Sequence, residues 1–307
     1  MDGLLVIDKP VGPTSHDVVT RVRRLLGERR VGHTGTLDPG ASGVLPLVVG
    51  RATRLARFLS AARKSYEAAI QLGVATDTGD SAGTPVGRVF QGAFPGRESI
   101  DRALDAFRGT FLQQPPAYSA KKIGGMRSHR LARAAAHALA APPALPAPVR
   151  VTVHALELGS VEGGRVTLHV DCSAGFYVRG LAHDLGQRLG IGGHLAALTR
   201  VRSGHLTLAD AAVLTALELD PPAALAALVP LAQMLPGLTA LTLTHEGVRR
   251  ATHGLDLGPA DFEGGFLACA SAPGTRPLRL LDGAGALVAV AEPIEGSGLL
   301  HPAVVLV

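Results

Sequence analysis

Apolar positions along the chain fall into short runs and two repeating periods. Leu4-Leu5-Val6-Ile7 is a continuous apolar run closed by Lys9-Pro10-Val11-Gly12-Pro13, which predicts a short buried strand ending in a turn. Next, Val18, Val22, Leu25 and Leu26 recur on one helical face, with Ser15 placed to cap the helix and Gly27 to stop it. Residues 44–49 form a second apolar run, and residues 64–72 alternate at the strand period. Ser99 opens another predicted helix, with Ile100, Leu104 and Phe107 inward. Residues 151–158 and 165–172, joined through Glu162-Gly163-Gly164, predict a hairpin, and residues 180–189 a helix carrying Leu181, Leu185 and Leu189. Past residues 230–236 the composition shifts to short strands and glycine turns, which predicts a domain boundary there.

Between the first helix and the second apolar run both periods break. Residues 32–47 read Gly-His-Thr-Gly-Thr-Leu-Asp-Pro-Gly-Ala-Ser-Gly-Val-Leu-Pro-Leu, with four glycines and two prolines in sixteen positions. Glycine admits positive φ and proline fixes it, so this composition predicts a loop held on an irregular path rather than a helix or strand. Asp38 sits at its centre with His33 as the only ionisable neighbour, a carboxylate that acts alone. Taken as composition, the stretch reads equally as a surface turn opened by Asp before Pro. A phosphate-binding loop is excluded, because no Lys follows at the required spacing. Asp77-Thr78-Gly79 has the triplet of an aspartic protease, but no second triplet exists to build the carboxylate pair.

With 307 residues there is room for one large domain and a small one. Hydrophobic residues make up 47% and mean hydropathy is +0.26, enough for a substantial core. Aromatics are only 4% and Trp is absent, so that core must rest on Ala, Leu and Val. No run of eighteen apolar residues and no basic-then-apolar start occurs, which predicts a soluble cytoplasmic protein. Cys172 and Cys269 are too far apart for a zinc motif or disulfide framework and are expected to be buried free thiols.

The net charge of +5 is unevenly placed. Residues 21–64 hold ten Lys/Arg against two acids, and residues 113–133 hold Lys121, Lys122, Arg127, Arg130 and Arg133 with no acid. From residue 240 onward four Arg face seven acids. Clustered cations suit a polyanion. Within the first cluster, Arg51, Arg54 and Arg57 share one face of a predicted helix over 52–59, either solvated or facing RNA. The second cluster begins an insertion that ends in the Pro-rich tract 141–148, a stiff connector.

The string at 32–46 closely resembles the active-site motif of the TruB family of tRNA pseudouridine synthases. Further motifs extend the likeness: Ile7-Asp8-Lys9-Pro10 with Gly12 and Thr14-Ser15, Lys64-Ser65-Tyr66, Cys172-Ser173-Ala174-Gly175-Phe176-Tyr177-Val178-Arg179, and Gly193-His194-Leu195-Ala196-Ala197-Leu198. The tail, with Gly247-Val248-Arg249-Arg250 and Asp282-Gly283, is similar to that family's small PUA-like domain. The resemblance implies an α+β fold: a mixed β-sheet core flanked by helices over 1–236, with an RNA-gripping thumb at about 113–148, and a β-rich PUA-like domain over 237–307. It implies isomerisation of uridine 55 in the tRNA T loop. Asp38 would be the catalytic nucleophile and Arg179 its ion-pair partner. Tyr66 would stack on the base, Tyr177 and Leu198 would wall the pocket, and His33 would fill the gap a flipped base leaves or be satisfied within its loop. Lys64, Lys121, Lys122, Arg127 and Arg130 would contact the RNA backbone. The chemistry needs no metal and no cofactor, and a monomer without membrane or protein partner is expected. Two departures stand out: His129 occupies a thumb position where the family usually carries Tyr, and the tail is net acidic. The alternative is a tRNA-binding folding factor in which isomerisation is secondary.

Overall fold

The computed structural model describes residues 1–119, 121–128, 130–131, 134, 145–264 and 276–306. His129, Arg133, residues 141–144 of the Pro-rich tract and Cys269 lie outside the described residues. The first strand, β1 (Gly3–Lys9), leads into α1 (Ser15–Leu26), then β2 (Val31–His33) and β3 (Ala41–Val49). After α2 (Ala56–Ser60) come β4 (Lys64–Leu72), the small pair β5 (Ala75–Thr76) and β6 (Pro85–Val86), α3 (Arg97–Leu104) and β7 (Gly109–Gln113). The hairpin β8 (Lys122–Ile123) and β9 (Met126–Arg127) follows, then β10 (Val149–Glu162), β11 (Arg165–Cys172), α4 (Val178–Arg188) and β12 (Gly193–Ser203). Two-residue strands β13 (Leu206–Thr207) and β14 (Ala212–Val213) and helices α5 (Leu214–Leu219) and α6 (Pro221–Ala226) close this body.

These strands form one ten-stranded mixed sheet in the order β14-β1-β3-β12-β4-β11-β10-β7, with β13 and β2 attached to β12 and β3. At its centre β12 runs parallel to β3 and antiparallel to β4, so three chain segments far apart in sequence share one strip. At β1 and β3 both faces of the sheet are covered, which explains why β1 is apolar without alternation. Leu5 and Ile7 pack under α1 with Val18, Val19 and Val22, while Leu4 and Val6 face Leu55, Leu59 and Met234.

Helix boundaries depart from expectation by one to three residues, for reasons visible at the caps. Thr14 rather than Ser15 caps α1: its hydroxyl accepts from the Asp17 amide while the Asp17 carboxylate accepts from Thr14. Gly27 ends the helix at φ 64°, as its position implied. Gly96, not Ser99, stands at the N-cap of α3, and Ile100, Leu104 and Phe107 are buried. The predicted irregular stretch is also shorter than its composition suggested. Gly32 and His33 pair with Val48 and Leu47, and β3 runs through Gly43 and Pro46, so the unpaired loop spans 34–40.

The tail builds a separate four-stranded sheet from β15 (Ala240–Thr242), β16 (Leu278–Leu281), β17 (Leu287–Ile294) and β18 (Leu299–Val305), with α7 (His245–Thr252) against it. Leu243, Leu257, Leu280 and Leu300 form its own core. The stripe of Arg51, Arg54 and Arg57 is partnered rather than free. Arg51 Nε pairs with Asp2 at 2.9 Å and its Nη1 donates to the Leu306 carbonyl at 2.7 Å. Arg54 donates to the Val305 carbonyl, and Arg57 pairs with Glu292 at 2.8 Å. The stripe docks the tail sheet onto the main body. Cys172 is a buried free thiol, its pKa pushed up to about 12 by burial.

Candidate active site

Residues 34–40 are held from three sides. From α1, the Ser15 hydroxyl accepts from the Leu37 amide at 2.8 Å and donates to the Leu37 carbonyl at 2.9 Å, so the residue expected to cap a helix fastens this loop instead. The Gly12 amide donates to the Pro39 carbonyl at 2.8 Å. Lys9 at the end of β1 is fully buried beneath, donating to the carbonyls of Ala41 at 2.6 Å and Pro10 at 2.9 Å. Burial pulls the Lys9 ammonium down to about 8, against the opposing pull of Asp38.

Asp38 projects from this clamp with a side chain 39% exposed, the right condition for an atom that must meet a substrate. It lines a cleft of about 110 Å³ shared with Asp80, Arg179, Leu195, Ala197 and Leu198. Arg179 comes from the first turn of α4 and is buried. Its Nε meets the Asp38 carboxylate at 2.9 Å and Asp80 lies farther, at 3.8 Å. The other nitrogens donate to the carbonyls of Thr78 at 2.9 Å and Tyr118 at 2.8 Å. A guanidinium fixed by two carbonyls has one direction left, and that direction holds Asp38. This pair is therefore a positioned charge rather than a surface salt bridge, whose worth would be small.

The other expected residues divide: Leu198 on β12 walls the cleft, while Tyr66, Tyr177 and His33 are not among the residues lining it. Tyr66 on β4 is buried, which pushes its phenol up, and it lies within the fields of Arg200 and Asp38. Tyr177 stands at the N-cap of α4; burial raises its phenol too, its side chain bonds Ser119, and it lies within the field of Arg179 and Asp38. His33 is half-buried at the end of β2, and its Nδ1 is buried with no hydrogen-bond partner among the described residues. That orphan nitrogen speaks against a histidine satisfied within its loop. Burial, then Arg200, His16 and Arg127, push the imidazole down and keep it neutral.

The basic residues divide. Lys121, Lys122, Arg127 and Arg130 are exposed, and none forms an ion pair among the described residues. Lys122 and Arg127 face each other across β8 and β9, joined by Gly124 and Gly125 at φ 55° and 85°, a turn only glycine-type residues make readily. Arg127 lies within electrostatic reach of His33 at the end of β2. Lys64 is the correction. Its ammonium is turned inward onto the carbonyls of Ser60 at 2.5 Å and Ala62 at 2.6 Å, and burial lowers it to about 8. A buried, doubly bonded amine does not present itself to a phosphate.

Three residues at the site escaped sequence reasoning. Asp80 directly follows the triplet rejected as a protease signature, Lys9 stood in a motif with no role given to it, and Arg200 stood in none. Only burial distinguishes the last two, since Arg200 and Lys9 are the largest fully buried side chains of the described chain. No cluster of three or more His, Cys, Asp or Glu able to hold a metal ion occurs among the described residues. Nor is any described helix long and apolar enough to cross a membrane.

The chain matches the family model of the TruB family pseudouridylate synthase N-terminal domain over residues 23–178. A model of the tRNA pseudouridylate synthase B C-terminal domain matches residues 179–226, ending before the tail sheet. Among curated relatives, tRNA pseudouridine synthase B of Solibacter usitatus is 41% identical over 313 residues, covering 100% of both chains. That of Symbiobacterium thermophilum is 44% identical over 258 residues, covering 83% of each. A solved Cbf5-Nop10-Gar1 complex superposes with a TM-score of 0.69 at 26% identity, covering 96% of this chain and 79% of the other. A solved H/ACA RNP bound to a substrate RNA containing 2'-deoxyuridine superposes at 0.71 with 23% identity, covering 99% and 85%.

Proposed function

The chain belongs to the TruB family of pseudouridine synthases, and from that premise we propose that its cleft isomerises uridine 55 of the tRNA T loop, with Asp38 as nucleophile on a flipped-out base. The reaction breaks the N1–C1′ bond, turns the uracil, and joins C5 to C1′; the C5 proton leaves and N1 gains one. Nothing is oxidised or reduced, so the chemistry calls on no cofactor. The observation that carries the reading is the 2.9 Å pair between the buried Arg179 and the half-exposed Asp38 at the cleft mouth. Arg179 holds the carboxylate in place while it delivers its electron pair.

Asp38 cannot reach a stacked base, so the uridine must leave its stack at a cost of about a few kcal/mol, less in a loop. Tyr66 stacks on the extruded base, Leu198 and Tyr177 wall it, and the neutral His33 ring occupies the space left behind. Lys121, Lys122, Arg127 and Arg130 contact the RNA backbone, which positions the arm without reading its sequence. We assign residues 1–236 to catalysis and 237–307 to a PUA-like RNA-binding domain, the whole acting as a cytoplasmic monomer.

The test is Asp38→Asn, which keeps shape and removes the carboxylate. On one unmodified tRNA, a base-resolution pseudouridine assay is expected to show no turnover while affinity stays within about threefold, because phosphate contacts are untouched. Measurable turnover by the pure variant overturns Asp38 as nucleophile. A folding-factor role draws support from the exposed hairpin cations, which grip RNA without Asp38; retention of tRNA folding by Asp38→Asn protein would show it.

A further inference from the structure

Arg200 lies on β12 where the sheet pairs it with Gly43 of β3 on one side and Tyr66 of β4 on the other. It is 1% exposed, and among the described residues no carboxylate pairs with it. Its Nε donates to the Val44 carbonyl at 2.7 Å and its Nη2 to the Gly35 carbonyl at 3.1 Å, and its charge acts on the phenol of Tyr66, which stands opposite it on β4. Gly35 and Val44 bracket Asp38, so one planar group touches both flanks of the loop beside Tyr66. Two glycines of the motif pack against this residue. A Cβ on Gly43, which sits at φ 101°, would come within 2.3 Å of the Arg200 carbonyl oxygen, and one on Gly35 would meet the guanidinium at 3.4 Å.

A buried cation without a counter-ion is costly, and a space-filling role would be better met by an apolar side chain. The neighbours add to the cost, since Lys9, Lys64 and His33 all lie within its field. We propose that Arg200 is a positioning residue for the isomerisation: it ties both flanks of the Asp38 loop to the Tyr66 side chain and so sets the gap in which the uracil turns. This rests on the roles given above to Asp38 and Tyr66. Arg200 itself is screened from the cleft and acts through those two groups.

The test is a double-mutant cycle of Arg200→Lys and Tyr66→Phe, read as single-turnover rate, RNA affinity and thermal midpoint on a T-arm stem-loop. Arg200→Lys keeps the charge and loses the planar fork. Its expected effect is a rate loss of about ten- to a hundredfold with affinity within about threefold, shrinking to under about threefold in the Tyr66→Phe background. The fall in thermal midpoint should be similar in both backgrounds, which a purely structural role would mirror in the rates. Rate losses that multiply across the cycle, or a loss confined to affinity, overturn the proposal. Should Arg200→Lys not fold, side-chain NMR of the otherwise wild-type protein decides: the Arg200 guanidinium protons should exchange slowly and shift on Tyr66→Phe, and an unmoved resonance overturns the link. Turnover by Asp38→Asn would instead overturn the functional reading, and the NMR result would still stand or fall separately.

Discussion

Residues 21–64 and the 121–130 hairpin are both strongly basic in sequence, and the fold treats them in opposite ways. In the first stretch half of the ten cations find partners contributed by other parts of the fold. Arg21 pairs with Glu218, Arg51 with Asp2, Arg57 with Glu292 and Arg63 with Asp171, while Lys64 is buried on two carbonyls. In the hairpin, Lys121, Lys122, Arg127 and Arg130 stay exposed and unpaired among the described residues. Each surface pair contributes little stability. Its larger consequence here is to cancel a cation that would otherwise attract phosphate, because a neutralised pair has only a short-range field. Charge counted along a segment therefore overstates what the surface offers RNA in the first region and states it fairly in the second.

The sharpest way to break this contrast is to compare salt dependence. Replacing Lys121, Lys122, Arg127 and Arg130 together with Ala should flatten log K against log salt by about 0.7–0.9 for each phosphate no longer neutralised, roughly three decades of affinity per decade of salt if all four touch RNA. The matching replacement of Arg21, Arg57 and Arg63 should leave the slope almost unchanged. Equal slopes in the two variants, measured by filter binding from low to moderate salt, would erase the distinction.

Arg51→Ala sharpens the comparison from the other side. It removes the bond to the Leu306 carbonyl and the ion pair with Asp2, which keeps only the backbone amide of residue 51, so the tail sheet loses part of its docking. Stability should fall by about 1–2 kcal/mol in denaturant unfolding, the worth of charge-assisted hydrogen bonds, with RNA affinity unmoved. A loss of affinity at unchanged stability would return the arginine stripe to the RNA.

A further effect concerns Lys64, a basic-block residue whose ammonium is engaged by backbone carbonyls. Its folded pKa of about 8 lies below the ordinary lysine value of 10.5. Between those two pH values the unfolded chain binds more protons than the folded one, so deprotonation favours the fold and this residue's contribution rises with pH. Wild-type protein should therefore gain stability relative to Lys64→Met as pH is raised from about 8 to about 10.5. A flat difference across that window would place the ammonium in water and reopen its access to phosphate.

Much of the framework was legible in the chain because it depends on local patterns. A continuous apolar run located β1, and period-two and helical repeats located α1, β4, the β10–β11 hairpin and α4 to within a few residues, since burial of one face imposes those periods whatever the neighbours are. Cap identity was missed at Ser15 and Ser99 because a hydroxyl suited to capping is equally suited to other bonds, and Ser15 fastens Leu37 instead. The motif around Asp38 and its partner Arg179 could be named from sequence likeness. What that sequence determined by itself was the set of elements and the lone carboxylate among its glycines. Only the tertiary structure decided which charges face water, and which residues stand around that carboxylate. Arg200 joins the site through the order β3-β12-β4, and Asp80 through the cleft it shares with Arg179. Lys9 does so by burial beneath the loop. The physical reason is range: a residue's neighbours along the chain impose its backbone period, whereas its charge partner is imposed by strands more than a hundred residues away.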